Sequence, residues 1–299
     1  MNMKQFVEKF KEHMEIKKYS KTTIYSYIQS LKGFLRFVEE KEIKDIREIT
    51  SEKIKEYQMV ISEKNISVSS VHAKLRGIKR FFEYLEENCL ILINPADKIV
   101  YPSLGERLPQ NIPSEEEMIK VLSLPQGDTF TGLRDKTLLE LLYSTGIRLA
   151  ECSNLTIYDV DCTEGYLRVN HGKGAKDRVL PIGKRACDCL KHYMEGIRQD
   201  YLNKNPHEKA LFIDARGKAL SRQMIGITVR NYGKQAQITN PVTVHAIRRA
   251  FATHLLKNGA HPMYIQKLLG HSTGETLRRY VKVTGKEVKD THEKTHPRG

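Results

Sequence analysis

Two arginines, a lysine, two histidines and a tyrosine fall in four short segments of the C-terminal half of this sequence. The first segment is Ser144-Thr145-Gly146-Ile147-Arg148-Leu149-Ala150-Glu151. The glycine-containing break just before Arg148 puts that arginine at a helix start, where backbone N–H groups favour anions. Glu151, three residues on, is placed to hold its guanidinium, although such a pair taken alone is an ordinary surface salt bridge. The second segment is Gly172-Lys173-Gly174-Ala175-Lys176-Asp177-Arg178, read as a hairpin tip. Its glycines let the backbone approach another molecule and project Lys173; alone it is a basic turn. In the third, His245-Ala246-Ile247-Arg248-Arg249, His245 and Arg248 stand three apart on one helix and face the same way. The fourth is Leu268-Leu269-Gly270-His271, with Tyr280 nine residues beyond.

Together these types suit transfer of a phosphodiester. Arg148 and Arg248 would clamp the two nonbridging oxygens, most strongly when the pentacovalent transition state gathers charge there. Tyr280 would attack phosphorus. A phenol titrates near pH 10 and needs a base or a strong positive field at neutrality; His245 suits that task. The 5′ oxygen is a poor leaving group, and Lys173 would protonate it. His271 would hydrogen-bond the phosphate. No carboxylate pair has the spacing for two metal ions, and the arginines supply the charge that metals would. No Gly-x-x-x-x-Gly-Lys-Ser/Thr loop occurs, and a covalent phosphotyrosine would conserve the bond energy without ATP. No cofactor is therefore expected.

The elements that must position these residues are mostly helices. In the first hundred residues, Phe6, Phe10 and Met14 mark one amphipathic helix. A second, capped by Ser20, carries Ile24, Tyr27, Ile28, Leu31, Leu35 and Val38. A third opens at Thr50 or Ser51 with Ile54, Tyr57 and Ile61; a fourth opens at Ser69 or Ser70 with Val71, Leu75, Ile78, Phe82 and Leu85. Lys74, Arg76, Lys79 and Arg80 face outward on the fourth, as a solvated face or a DNA contact. Asn94-Pro95 ends this bundle, and the proline-rich stretch to Pro113 reads as a linker. Ser114 with Glu115, Glu116 and Glu117 starts a helix, and residues 135–143 form a strongly apolar one. Alternation at 157–161, 166–170 and 178–182 predicts a small antiparallel sheet. Helices resume at 184–198, 221–235, 244–256 after Thr243, 262–269 before Gly270, and 275–283 after Thr273. The fold class is thus mainly α with a small antiparallel β-sheet (α+β) in the C-terminal domain.

At 299 residues two domains are expected. The net charge is +14, a balance that suggests a polyanionic partner. No run of about 18 apolar residues occurs, and the start lacks a signal-peptide core, so no membrane association and a cytoplasmic location are expected. Five cysteines, an odd number without a Cys-x-x-Cys pair, read as reduced, mostly buried thiols.

The set Thr145-Gly146-x-Arg148-x-x-Glu151, Gly172-Lys173-Gly174, His245-x-x-Arg248, Leu269-Gly270-His271-Ser272 and Tyr280 resembles the tyrosine recombinase/phage integrase family. Residues 252–256 (Ala-Thr-His-Leu-Leu) and the ending His296-Pro297-Arg298 resemble its bacterial Xer-type members. The resemblance covers nearly the whole chain. It implies a site of Arg148, Lys173, His245, Arg248 and His271, supported by Glu151, with Tyr280 as nucleophile. It implies a helical core-binding domain (1–94), a linker (95–113), a catalytic domain (114–285) and a tail (286–299) that docks on a neighbouring protomer. The two domains would form a C-shaped clamp on double-stranded DNA, with Lys74, Lys79, Arg80, Lys176 and Arg178 as candidate DNA contacts. A tetramer, of one protein or two, would pair two two-armed sites and exchange strands through a Holliday junction in the nucleoid. The approach to Tyr280 (Thr273 to Arg279) is more charged than in most Xer-type proteins, and Lys282 stands where they often carry a histidine. Chromosome-dimer resolution and mobile-element integration or excision both stay open. The alternatives are a type IB topoisomerase and a non-catalytic architectural DNA-binding protein.

Overall fold

The structure, a computed structural model, describes residues 3–103, 112–127, 129–170, 177–202 and 205–270. Lys173, Lys176, His271, Tyr280, the helix expected at 275–283 and the tail at 286–299 lie outside them. The chain divides into two compact units, Met1–Leu108 and Pro109–Gly299.

Four amphipathic helices build the first unit: α1 (Met3–Ile16), α2 (Lys21–Glu40), α3 (Ser51–Glu63) and α4 (Val68–Glu87). Apolar residues three and four apart put Phe10, Met14, Leu31, Phe34, Leu75, Phe81 and Phe82 into one core. The rings of Phe10 and Phe81 meet edge to face, with centroids 5.4 Å apart. Ser20 caps α2 by accepting from the Thr23 N–H. The start of α4 lies earlier than the sequence reading placed it. Ser67, not Ser69 or Ser70, is the cap, accepting from the Ser70 N–H. A serine run offers several equivalent caps, and the packing of Val71 selects among them. Beyond α4, Ala96 is buried, and Ile99 and Tyr101 pack against the same core. The Gln58 amide donates to the Val100 carbonyl at 2.8 Å.

The second unit begins with α5 (Glu115–Ser123), whose Ser114 and Glu117 form the reciprocal capping box the sequence signals. Helix α6 (Phe130–Thr145) is longer than its apolar run suggested and is buried nearly all round, through Leu133, Leu138, Leu139, Leu141 and Leu142. The short α7 (Leu149–Ser153) follows, then strands β1 (Val160–Asp161), β2 (Tyr166–Val169) and β3 (Arg178–Pro181). They form an antiparallel meander in the order β1-β2-β3, with Val160 opposite Leu167 and Leu167 opposite Leu180. Leu167 and Val169 point into the core.

The helix expected at 184–198 is two helices, α8 (Lys184–Glu195) and α9 (Ile197–Leu202), broken at Gly196. The break turns Arg198 inward, where it is 1% exposed and donates to the carbonyls of Leu211, Glu208 and Ala210. Helices α10 (Arg222–Gln235), α11 (Val244–Lys257) and α12 (Pro262–Leu269) complete the unit. Ser221 caps α10 and Thr243 caps α11. Cys152 and Cys187 are buried, Cys162 and Cys189 half-buried and Cys89 exposed, and all five are free thiols. Among the described residues no helix is long and apolar enough to cross a membrane.

Candidate active site

Helix α6 ends at Gly146, which takes a left-handed backbone (φ 60°) and donates its N–H to the Leu142 carbonyl. A side chain is excluded twice over. L-residues disfavour that conformation, and a Cβ would sit 2.4 Å from Cδ1 of Phe251 on α11. The turn delivers Arg148 to the N-terminal edge of α7, as the sequence implied. Arg148 N–H donates to Glu151 Oε2 and its Nη1 donates to Glu151 Oε1, both at 2.8 Å.

Glu151 is no surface acid; it is 8% exposed. Its second partner is Arg178, which donates from Nη1 at 3.0 Å and from Nη2 at 2.8 Å, one nitrogen to each oxygen. Burial pushes the Glu151 carboxyl up. The hydrogen bonds from Arg178 and the Arg148 backbone, with the charges behind them, outweigh burial and hold it at about 2. Arg178 also donates from Nε to the Leu268 carbonyl at 3.1 Å. The residue offered as a DNA contact is thus inward-facing, its side chain 12% exposed and its guanidinium shared between an acid and a helix end. The reason is that Arg178 heads β3 on the side facing Glu151 and α12, an orientation set by the strand's register.

Arg248 is buried as well, 3% exposed. Its Nη1 donates to the Gly146 carbonyl and its Nη2 to the Leu269 carbonyl, each at 2.6 Å. Two arginines therefore hold the last carbonyls of α12, where the helix dipole favours positive charge. His245, one turn before Arg248, keeps part of its surface open to solvent and has the rest covered. Its imidazole is held below its usual value by partial burial and then by the positive charges of Arg249, Arg248 and Arg148. That dependence brings Arg148, Arg248 and His245 into one electrostatic neighbourhood at the junction of α6, α7, α11 and α12. Gly270 caps α12 with φ 62° and lies against Arg178. The next residue in the sequence is His271.

The candidate contacts on α4 differ among themselves. Arg80 pairs with Glu83 at 2.7 Å and Glu87 at 3.8 Å. Lys79 reaches the Asp97 carbonyl at 3.4 Å. Lys74 is half-exposed and makes no ion pair among the described residues. Sequence reasoning missed two partnerships, Arg178 with Glu151 and Tyr143 with His254. The Tyr143 hydroxyl meets His254 Nδ1 at 2.8 Å, and His254 also bonds the Pro113 carbonyl. Residues 111 apart leave no mark in local spacing.

A mainly helical catalytic unit with a three-stranded meander, two inward arginines and a histidine beside them defines a class of phosphoryl-transfer protein. Comparison with known proteins names the family. The pattern described as the phage integrase family matches residues 114–287, and that of its N-terminal SAM-like domain matches residues 6–91. Tyrosine recombinase XerC of Bacillus subtilis is 34% identical, over 99% of this chain and 98% of that protein. Tyrosine recombinase XerD of Halalkalibacterium halodurans is 34% identical, over 93% of each. Among solved structures, XerA recombinase aligns over 99% of this chain and 100% of that one, with 26% identity and TM-score 0.56. A lambda integrase fragment in a dimer bound to a core site aligns over 94% and 95%, with TM-score 0.74 and 15% identity, a likeness of fold. The chain belongs to the phage integrase family. It is a tyrosine recombinase, a DNA breaking and rejoining enzyme of site-specific recombination.

Proposed function

We propose that the chain recombines DNA through a covalent 3′-phosphotyrosine formed by Tyr280, at a site made of Arg148, Lys173, His245, Arg248 and His271. Arg148 and Arg248 grip the nonbridging oxygens of the scissile phosphate. The phenol oxygen attacks phosphorus as its proton passes to His245, and the P–O5′ bond breaks as Lys173 protonates the leaving oxygen. His271 donates a hydrogen bond to the phosphate. A 5′ hydroxyl from the partner duplex then reverses the step and releases Tyr280, giving a Holliday junction. The reading carries further to a protomer built of a core-binding domain (1–94), a linker (95–113), a catalytic domain (114–285) and a tail (286–299) docking on a neighbour. Two such domains close as a clamp on double-stranded DNA. Four protomers, from one protein or two, pair two two-armed sites in the nucleoid. Lys74, Lys79 and Lys176 serve as phosphate contacts.

The observation that carries this reading is the convergence of Arg148, tied to Glu151, and Arg248, tied to the Gly146 carbonyl, on one turn, beside a His245 whose proton affinity is lowered by burial and then by the charges of Arg249, Arg248 and Arg148. A base kept neutral next to an anion-binding pair is what a phenol nucleophile requires. The test is a nicked suicide duplex, from which the cut end diffuses away and traps the adduct. The wild-type protein should form an EDTA-resistant covalent complex with DNA, and Tyr280→Phe should form none. An architectural binder would shift the duplex without any adduct. A topoisomerase would relax plasmids that lack a paired site.

A further inference from the structure

The reaction assigned above gives Arg148 a clear task and leaves Arg178 without one, although Arg178 is the more deeply placed of the two. The side chain of Arg148 is 30% exposed and that of Arg178 12%. One carboxylate serves both. Arg178 takes its two oxygens in a fork, at 3.0 and 2.8 Å, and so fixes the plane of the carboxyl group. The remaining lone pairs of Glu151 then receive Arg148 through its N–H and Nη1. A third bond runs from Arg178 Nε to the Leu268 carbonyl, and Gly270 leaves room for the guanidinium, since a Cβ there would come within 3.2 Å of Arg178 Cδ. Two guanidiniums against one carboxylate leave the cluster one positive charge in excess, and a phosphodiester supplies the balancing negative charge.

Without Arg178, a five-residue helix would present a long side chain held only by an i,i+3 pair, a weak constraint in water. We propose that Arg178 is a positioning residue of the strand-transfer step. It locks Glu151 so that Arg148 offers its guanidinium to the scissile phosphate in one orientation. The proposal rests on Arg148 acting as a phosphate clamp, the reading given above. Arg178 does not touch the substrate in this scheme.

The experiment compares adduct formation on two suicide duplexes, one with an ordinary scissile phosphodiester and one with a methylphosphonate. The methyl group replaces a nonbridging oxygen and removes the charge, so a misoriented arginine matters less there. Arg178→Met should slow adduct formation on the phosphodiester by roughly 10- to 100-fold, the cost of misplacing a clamping group by about an ångström. On the methylphosphonate it should lose little, and its affinity for the duplex should be nearly that of the wild type. Arg178→Lys, which keeps the charge but not the fork, should show the same selectivity with a smaller loss. In an Arg148→Ala background, Arg178→Met should add almost nothing. Equal losses on the two duplexes would reduce Arg178 to a scaffold residue, and a large loss of affinity would make it a direct DNA contact; either overturns the proposal. Should Arg178→Met fail to fold, Arg178→Lys and Glu151→Gln carry the same comparison. Absence of an adduct from the wild-type protein on the phosphodiester would instead sink the recombinase assignment, a separate result.

Discussion

Glu151 is the acid that Arg148 and Arg178 share, and replacing it by glutamine gives a measurable account of that dependence. Glutamine keeps the volume and one acceptor oxygen but removes the charge. In the native protein the Glu151 carboxyl is held at about 2 instead of the ordinary 4.5. Each tenfold change in proton affinity corresponds to about 1.4 kcal/mol, so the ionised carboxylate contributes about 3 kcal/mol to the stability of its unit at neutral pH. The side chain is 6% exposed, so solvent screening reduces that figure little. The sign follows from the direction of the shift. A folded value below the unfolded one gives stability that is complete above the ordinary 4.5 and is lost as the pH falls through the folded value near 2. The gap between wild type and Glu151→Gln should therefore be about 3 kcal/mol at pH 7 and shrink to about half that at pH 3. Urea unfolding at a series of pH values measures it, followed by far-ultraviolet circular dichroism because the chain has no tryptophan. A gap that stays constant from pH 7 to pH 3 would refute the ion-pair account.

Other outcomes follow from the same geometry. Gly146→Ala forces an L-residue into φ 60° and a Cβ into the Phe251 ring. With about 1–2 kcal/mol for the backbone and about 1–3 for the overlap, Tm should fall by roughly 5–15 °C, and Phe251→Leu in that background should return part of the loss in a thermal melt. Arg248→Ala strands the Gly146 and Leu269 carbonyls, at about 1–3 kcal/mol each, so it should lower both cleavage and stability. Arg148→Ala, at a half-exposed position, should lower cleavage with a much smaller change in Tm and little in DNA affinity; equal loss of cleavage and binding would make it an anchor only. In the proposed reaction His245 is the base and must be neutral, and burial with the charges of Arg249, Arg248 and Arg148 lowers its proton affinity from the usual 6.5. The acid limb of the adduct-formation profile should lie below pH 6.5 and move upward in Arg148→Ala, whereas a limb above 6.5 would contradict the assignment.

Much of the architecture was legible because it is governed by local rules. Apolar residues three and four apart gave α1 to α4. Ser20, Ser114 and Thr243 announced helix starts, Gly270 a helix end, and alternation gave β2 and β3, whereas most of the strand expected at 157–161 is a 3-10 turn (Ile157–Asp159) that leaves β1 two residues long. Where several residues of one type compete, as at Ser67 to Ser70, local chemistry is degenerate and packing decides. The split of α8 from α9 at Gly196 was hidden for a related reason. A buried Arg198 is stable only because three carbonyls from residues 208–211 come to meet it.

By itself the sequence pointed to phosphodiester transfer, since two arginines, a lysine, two histidines and a tyrosine together suit that one reaction. It also determined the pairing of Arg148 with Glu151, because both lie within one turn of chain. Only the tertiary structure decided that Glu151 is buried and shared, that Arg178 turns inward to hold it, and that Arg248 ties the end of α6 to the end of α12. Those contacts join residues 21 to 102 positions apart. Hydrogen bonds and burial act over a few ångströms of space, and one-dimensional spacing carries no information about which distant segments will be brought that close.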